Sequence, residues 1–177
     1  FNISIRLTDK FMQAVEKDEM WTLQFEGKVY KTLKARELYD ALAKNAYTHN
    51  DPGCFFVDRV ERDNNAWWAF KMDRCNPCGE IPMPSYSLCC LGSLNLTKFI
   101  RNPFTPDAYF DYEKATEVIH LAIRFLDNVL DATQYPLAKI EEFSKQWRRV
   151  GLGFTGLGDA LAMMNMVYGS DDSLKFC

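Results

Sequence analysis

The strongest constraint on how this chain can fold is a helical stripe that runs unbroken between prolines. Ala115, Val118, Ile119, Ala122, Phe125, Leu126, Val129 and Leu130 recur at the period of an amphipathic helix over roughly 111–131. Pro103 and Pro106 break the chain before it, and Pro136 starts the next connection. Asp111 is placed to cap it, and Glu113 suits the positive end of its dipole. A helix with one apolar face needs a second layer, and the strand-like segments elsewhere supply candidates. Residues 2–7 alternate polar and apolar as a half-buried strand does. Thr8 or Asp9 can cap a helix through Phe11, Met12 and Val15, and Thr32 precedes another through Leu38, Ala41, Leu42 and Ala46. Residues 21–30 read as an irregular or hairpin segment turning near Gly27. Phe55-Phe56-Val57 reads as a short strand or a single helical turn, and 94–99 as strand or turn. A shorter helix is expected over 138–147. Gly151 to Gly158 reads as a flexible lead-in to a last helix ending near Gly169. Strands alternating with helices predict an α/β fold.

The run Asn76-Pro77-Cys78-Gly79-Glu80 interrupts that regularity, with Cys89 eleven residues after Cys78. Pro77 and Gly79 argue against a long strand and for a tight loop or finger. Amide, thiol and carboxylate fall on alternate residues, so in an extended segment all three would share a face and could converge on one polar ligand. Burial beside a neutral ligand would push the Glu80 carboxyl up and favour proton acceptance. Six cysteines, at 54, 75, 78, 89, 90 and 177, also allow other chemistry. Cys75-x-x-Cys78 has redox or zinc spacing, and Cys89 with Cys90 could complete a zinc or thiol binding module. Adjacent cysteines fit a tetrahedral site poorly, and buried inert thiols are the bland alternative.

Net charge is -3, with no Lys/Arg block, so there is no nucleic-acid footprint. No apolar run approaches the length of a membrane span, and no signal peptide is visible. The glycines at 151, 153, 156 and 158 lack a Walker lysine and read as close backbone packing rather than a phosphate loop.

Asn76-Pro77-Cys78-Gly79-Glu80, then Pro84-Ser85-Tyr86-Ser87-Leu88-Cys89 and Leu91-Gly92-Ser93-Leu94-Asn95-Leu96, resembles the active-site segment of the ribonucleotide reductase catalytic subunit. Phe1-Asn2-Ile3-Ser4 with Thr8-Asp9 and Phe11-Met12, the stretch Pro52-Gly53, Phe56 and Asp58, and Arg148-Arg149-Val150-Gly151-Leu152-Gly153 with Gly156-Leu157-Gly158-Asp159 resemble other parts of that family in the same order. The resemblance covers nearly the whole chain. It implies part of a ten-stranded α/β barrel with the cysteine on a finger loop inside it. Residues 1–177 would then be an internal fragment of a longer catalytic domain, since the chain has no initiator Met and family subunits are several times longer. It places the thiyl radical on Cys78, the general base on Glu80, ribose hydrogen bonding on Asn76 and one of two reducing thiols on Cys89, the other lying upstream of residue 1. Cys90 stands where asparagine is frequent and competes with Cys89 for the redox role.

The motifs look most like the adenosylcobalamin-dependent class, with the class served by a separate radical-generating subunit as the alternative. The implied partners are a ribonucleotide substrate, dNTP and ATP effectors, a dithiol reductant such as thioredoxin and a second copy of the chain, in a reducing cytoplasm. No metal ligands are assigned within the chain, and none of its residues is assigned to the cofactor.

Overall fold

The computed structural model describes residues 2–177 and divides the chain into two compact units, 1–87 and 88–177, where one domain is expected from length alone. Phe1, the first residue of the amino-terminal motif, lies outside the described residues.

The first unit opens with β1 (Ser4–Leu7) and α1 (Asp9–Glu16). Thr8 caps α1 by accepting the Phe11 N–H at 3.1 Å. β2 (Met20–Phe25) and β3 (Lys28–Lys34) form an antiparallel hairpin. Glu26 and Gly27, both at positive φ, make the two-residue turn that hairpins favour. α2 (Ala35–His49), β4 (Gly53–Phe56) and α3 (Val57–Arg62) follow, and the run at 55–57 is the end of a strand passing directly into a helix. β4 pairs in parallel with β1, with Ser4 opposite Gly53 and Leu7 opposite Phe56. Leu7, Phe11, Ala14, Val15, Ala35 and Leu42 form the core, against which Trp21 packs edge-on to Phe11. The unit ends in the two-residue strands β5 (Arg74–Cys75) and β6 (Pro82–Met83), an antiparallel pair that closes the base of the finger.

The second unit begins with β7 (Cys90–Asn95), a short 3-10 turn and the small pair β8 (Ile100–Arg101) and β9 (Tyr109–Phe110). The amphipathic stripe is α4 (Tyr112–Ala132), capped by Asp111, whose Oδ1 accepts the Lys114 N–H at 2.9 Å. α5 (Ala138–Trp147) leads to β10 (Val150–Thr155), which pairs in parallel with β7. This corrects the flexible lead-in read from the glycines: a strand partner supplies the ladder that local propensity does not. The last helix does not reach Gly169: α6 (Leu157–Met163) stops just before Asn165 at φ 58°, and a further helix, α7 (Asp171–Phe176), follows Gly169. Ile100, Ala160, Leu161 and Met164 form this unit's core.

Helices and strands are mixed throughout, as the α/β expectation requires. The described strands form five two-stranded pairs and do not close into a barrel. Two of the five are parallel, and parallel pairs need crossover connections of the kind that build α/β sheets.

Candidate active site

The finger is the short loop over 76–81 between β5 and β6. Asn76 shapes it with three bonds: its N–H donates to Ile81 O at 3.3 Å, its carbonyl accepts from Gly79 N–H at 3.0 Å, and its side-chain Oδ1 accepts from Ile81 N–H at 3.0 Å. Pro77 presets the turn, and Gly79 takes φ 83°, which an L side chain adopts only with strain. The expected extended segment is therefore a turn. Asn76 folds its amide oxygen inward to close the loop, leaving Nδ2 as the end that can reach a ligand, whereas Cys78 and Glu80 are exposed. The burial anticipated for Glu80 is absent from this chain as it stands.

Two residues of the amino-terminal strand region touch the finger. Asn2 Nδ2 donates a long contact to Cys78 Sγ at 3.9 Å. Ser4 Oγ would stand 3.6 Å from a Cβ at Gly79. Beside the finger lies a cleft of about 470 Å³, lined among others by Arg6, Asp73, Arg74, Cys75 and Asn76. Asp73 joins its two arginines, at 2.8 Å from Arg74 Nη1 and 3.9 Å from Arg6 Nη1. Asp73 and Arg74 directly precede the finger, but no pattern in the sequence marks Arg6 as their neighbour.

Cys89 belongs to the second unit, immediately before β7. Alternation along β7 separates the two adjacent cysteines. Cys90 lies on the side of Gly92, where an added Cβ would be 3.3 Å from Leu126 of α4, so that side faces the helix. Cys89 lies on the side of Leu91 and Ser93, away from α4. A Cβ at Gly151, opposite Leu91, would meet Leu91 Cδ2 at 2.6 Å and Cys89 Sγ at 3.5 Å. The glycine therefore gives the room in which Leu91 and Cys89 sit. Burial pushes the Cys89 thiol up, Arg149 acts to lower it and Cys90 to raise it. Arg149 belongs to the Arg148–Gly153 motif, but its nearness to Cys89 is visible only once β7 and β10 are paired. All six cysteines are free thiols. Among the described residues, no group of three or more His, Cys, Asp or Glu is disposed to hold a metal ion. No helix among the described residues is long and apolar enough to cross a membrane.

Comparison with known proteins is consistent along the whole chain. The family described as "Ribonucleotide reductase, barrel domain" matches residues 1–177. A protein of Mycobacterium tuberculosis named "Vitamin B12-dependent ribonucleoside-diphosphate reductase" is 36% identical over 177 residues, covering 99% of this chain and 25% of its own length. A protein of the same name from Thermoplasma acidophilum is 34% identical, with 22% of its length covered. A "Vitamin B12-dependent ribonucleotide reductase" of Streptomyces clavuligerus is 30% identical over 172 residues, 96% of this chain and 18% of its own length. The chain thus spans about a quarter or less of the relatives it matches.

Proposed function

The chain belongs to the ribonucleotide reductase family, and from that premise we propose that the protein containing it reduces ribonucleotides, in the first instance diphosphates, to 2'-deoxyribonucleotides by thiyl-radical chemistry. The observation that carries this reading is the finger itself: a self-closed loop presenting Cys78 and Glu80 outward from Asn76. A ribose carbon–oxygen bond is unreactive under mild conditions, and radical initiation is the work of a cofactor. Adenosylcobalamin would supply radical initiation here, and Cys78 is the residue that would give up its thiol hydrogen to become the thiyl. The exposed position of Cys78, with only the long Asn2 contact described at its sulfur, fits approach by a bulky group. Of this chain's residues, Cys78 is the one that must face it.

The remaining steps belong to side chains. The Cys78 thiyl takes the ribose 3'-hydrogen, and Glu80 accepts the 3'-hydroxyl proton as a general base. Asn76 Nδ2 orients the ribose hydroxyls without adding charge. The 2'-hydroxyl leaves as water. Cys89 and a partner cysteine outside this chain supply two electrons and two protons, one proton to the departing 2'-hydroxyl and one to C2', and become a disulfide; Glu80 returns its proton to the 3'-oxygen, and Cys78 returns its hydrogen to C3'. The side of β7 on which Cys89 lies, away from α4, favours it over Cys90 for this exchange. The full barrel, of which these parallel pairs are a portion, a thioredoxin-type reductant, nucleotide effectors and a homodimer belong to the same reading.

The test uses the full-length protein with a cytidine nucleotide and dithiol, with and without adenosylcobalamin, beside Cys78→Ser. Turnover is expected only with the cobalamin and only with Cys78 intact. Turnover restored by a separate small subunit instead would keep the site and overturn the cofactor. Undiminished turnover in Cys78→Ser would overturn the site.

A further inference from the structure

Arg148 and Arg149 are adjacent, yet the backbone sends them to different tasks. Arg148 adopts the left-handed conformation at φ 45°, which ends α5. Its guanidinium turns back to α4, with Nε 2.6 Å from Asp127 Oδ1, Nη2 2.9 Å from Asp131 Oδ2 and Nη2 also donating to Asp127 O at 3.0 Å. That anchors the start of β10. Arg149 follows directly, one residue before β10. Val150 stands opposite Cys90, and Cys90 N–H donates to Arg149 O at 3.2 Å, so the two strands meet at this point. A Cβ at Gly151 would face Cys89 Sγ at 3.5 Å, and alternate residues of an extended segment share a side, so Arg149 and Cys89, each one residue before its strand, are neighbours on that side.

We propose that Arg149 is a positioning residue for Cys89: held beside the thiol by the β7–β10 pairing, its guanidinium stabilises the thiolate that Cys89 presents during dithiol exchange. This rests on the redox role given to Cys89 above. In that exchange a thiolate of the external dithiol attacks the partner sulfur of the Cys89 disulfide. The sulfur–sulfur bond breaks, its electron pair leaves on Cys89 as thiolate, and a mixed disulfide forms on the partner cysteine. The second thiolate of the reductant displaces that cysteine, the reductant becomes the disulfide, and its two protons end on the two protein thiols. A leaving thiol departs faster as its thiolate is better stabilised. Burial works against Cys89, and so does Cys90 beside it; Arg149 offsets them from β10, while α4 covers the opposite side of the strand.

The experiment follows peptide-resolved alkylation of Cys89 and Cys90 by iodoacetamide against pH, in the reduced full-length protein, for wild type, Arg149→Lys and Arg149→Met. Arg149→Met is expected to move the Cys89 profile to higher pH and to slow its alkylation at neutral pH by about three- to tenfold, the size of effect a nearby, partly screened charge has. Arg149→Lys is expected to stay close to wild type, and the Cys90 profile to stay in place. A Cys89 profile unchanged in Arg149→Met, an Arg149→Lys variant as slow as Arg149→Met, or equal slowing of both cysteines would each overturn the proposal. If Arg149→Met does not fold, Arg149→Gln carries the same comparison. The readout needs no turnover. Retained multiple turnover in Cys89→Ser would therefore sink the redox reading of Cys89 without touching the alkylation result.

Discussion

The two thiols to which the proposed function assigns chemistry are held by opposite kinds of structure. Cys78 rides on a loop that builds itself: Asn76 makes all three closing bonds within six residues, Pro77 and Gly79 set the turn, and the sulfur is left exposed. Cys89 is placed by partners remote in sequence. Gly151 makes space for it, Arg149 acts on it from just before β10, and α4 covers the other side of its strand. Radical chemistry needs a sulfur that meets cofactor and substrate in turn, which an outward loop allows. Disulfide exchange needs a sulfur of tuned reactivity, which a half-buried site beside a cation provides.

The comparison breaks first at the sulfurs. Cys78→Ser is expected to cut steady-state turnover of the full-length protein by about 10³-fold or more, as loss of a group essential to the chemistry does. Cys89→Ser should abolish repeated turnover with a dithiol reductant, while Cys90→Ser should stay within about threefold of wild type. Steady-state assays of the two variants side by side check this, and equal losses would end the distinction between the two sides of β7.

The glycines sharpen it. Gly151→Ala forces a contact of 2.6 Å with Leu91 and should cost about 1–3 kcal/mol, as overpacking does. Gly79→Ala meets nothing closer than Ser4 Oγ at 3.6 Å, so its cost, about 1–2 kcal/mol, comes from the left-handed backbone alone. Hydrogen exchange checks both: Gly151→Ala should lose protection along β7 and β10, Gly79→Ala only at the finger.

The smallest effect is on acid stability. Hydrogen bonds from Arg148 hold Asp127 and Asp131 below the usual carboxylate range, and the Lys114 N–H followed by Arg101 does the same for Asp111. A depressed folded value means stability present above the unfolded value of about 3.9 and lost as pH falls through the folded one. The second unit should therefore loosen below about pH 4, modestly, because these pairs are exposed. In Arg148→Gln that acid dependence should shrink, as followed by hydrogen exchange across α4 and β10.

What the sequence made legible follows the same division. α4 is readable because its stripe, its Asp111 cap and its flanking prolines are all local. The turn at 76–81 is readable because proline, glycine and asparagine each have a turn role. β10 hides behind its glycines, which depress strand propensity until β7 supplies the ladder. The last helix stops at Met163, just before Asn165 takes positive φ, a choice no periodicity announces. Arg149 could not be linked to Cys89 without the strand pairing, and Arg6, far from the finger in the chain, could not be joined to Asp73 and Arg74 beside it. Alternation at 76, 78 and 80 pointed to one shared face, and the turn overrode it.

The parallel pairing of β7 with β10 also orders events in time. An antiparallel finger needs only its own few residues and can close in microseconds. A parallel pair must wait for the whole crossover between its strands, here α4 and α5, and closing so long a connection is slow. During synthesis the finger bearing Cys78 is complete well before β10 reaches β7 beside Cys89. The chain thus passes through a stage at which the loop of Cys78 is already shaped and the surroundings of Cys89 are not.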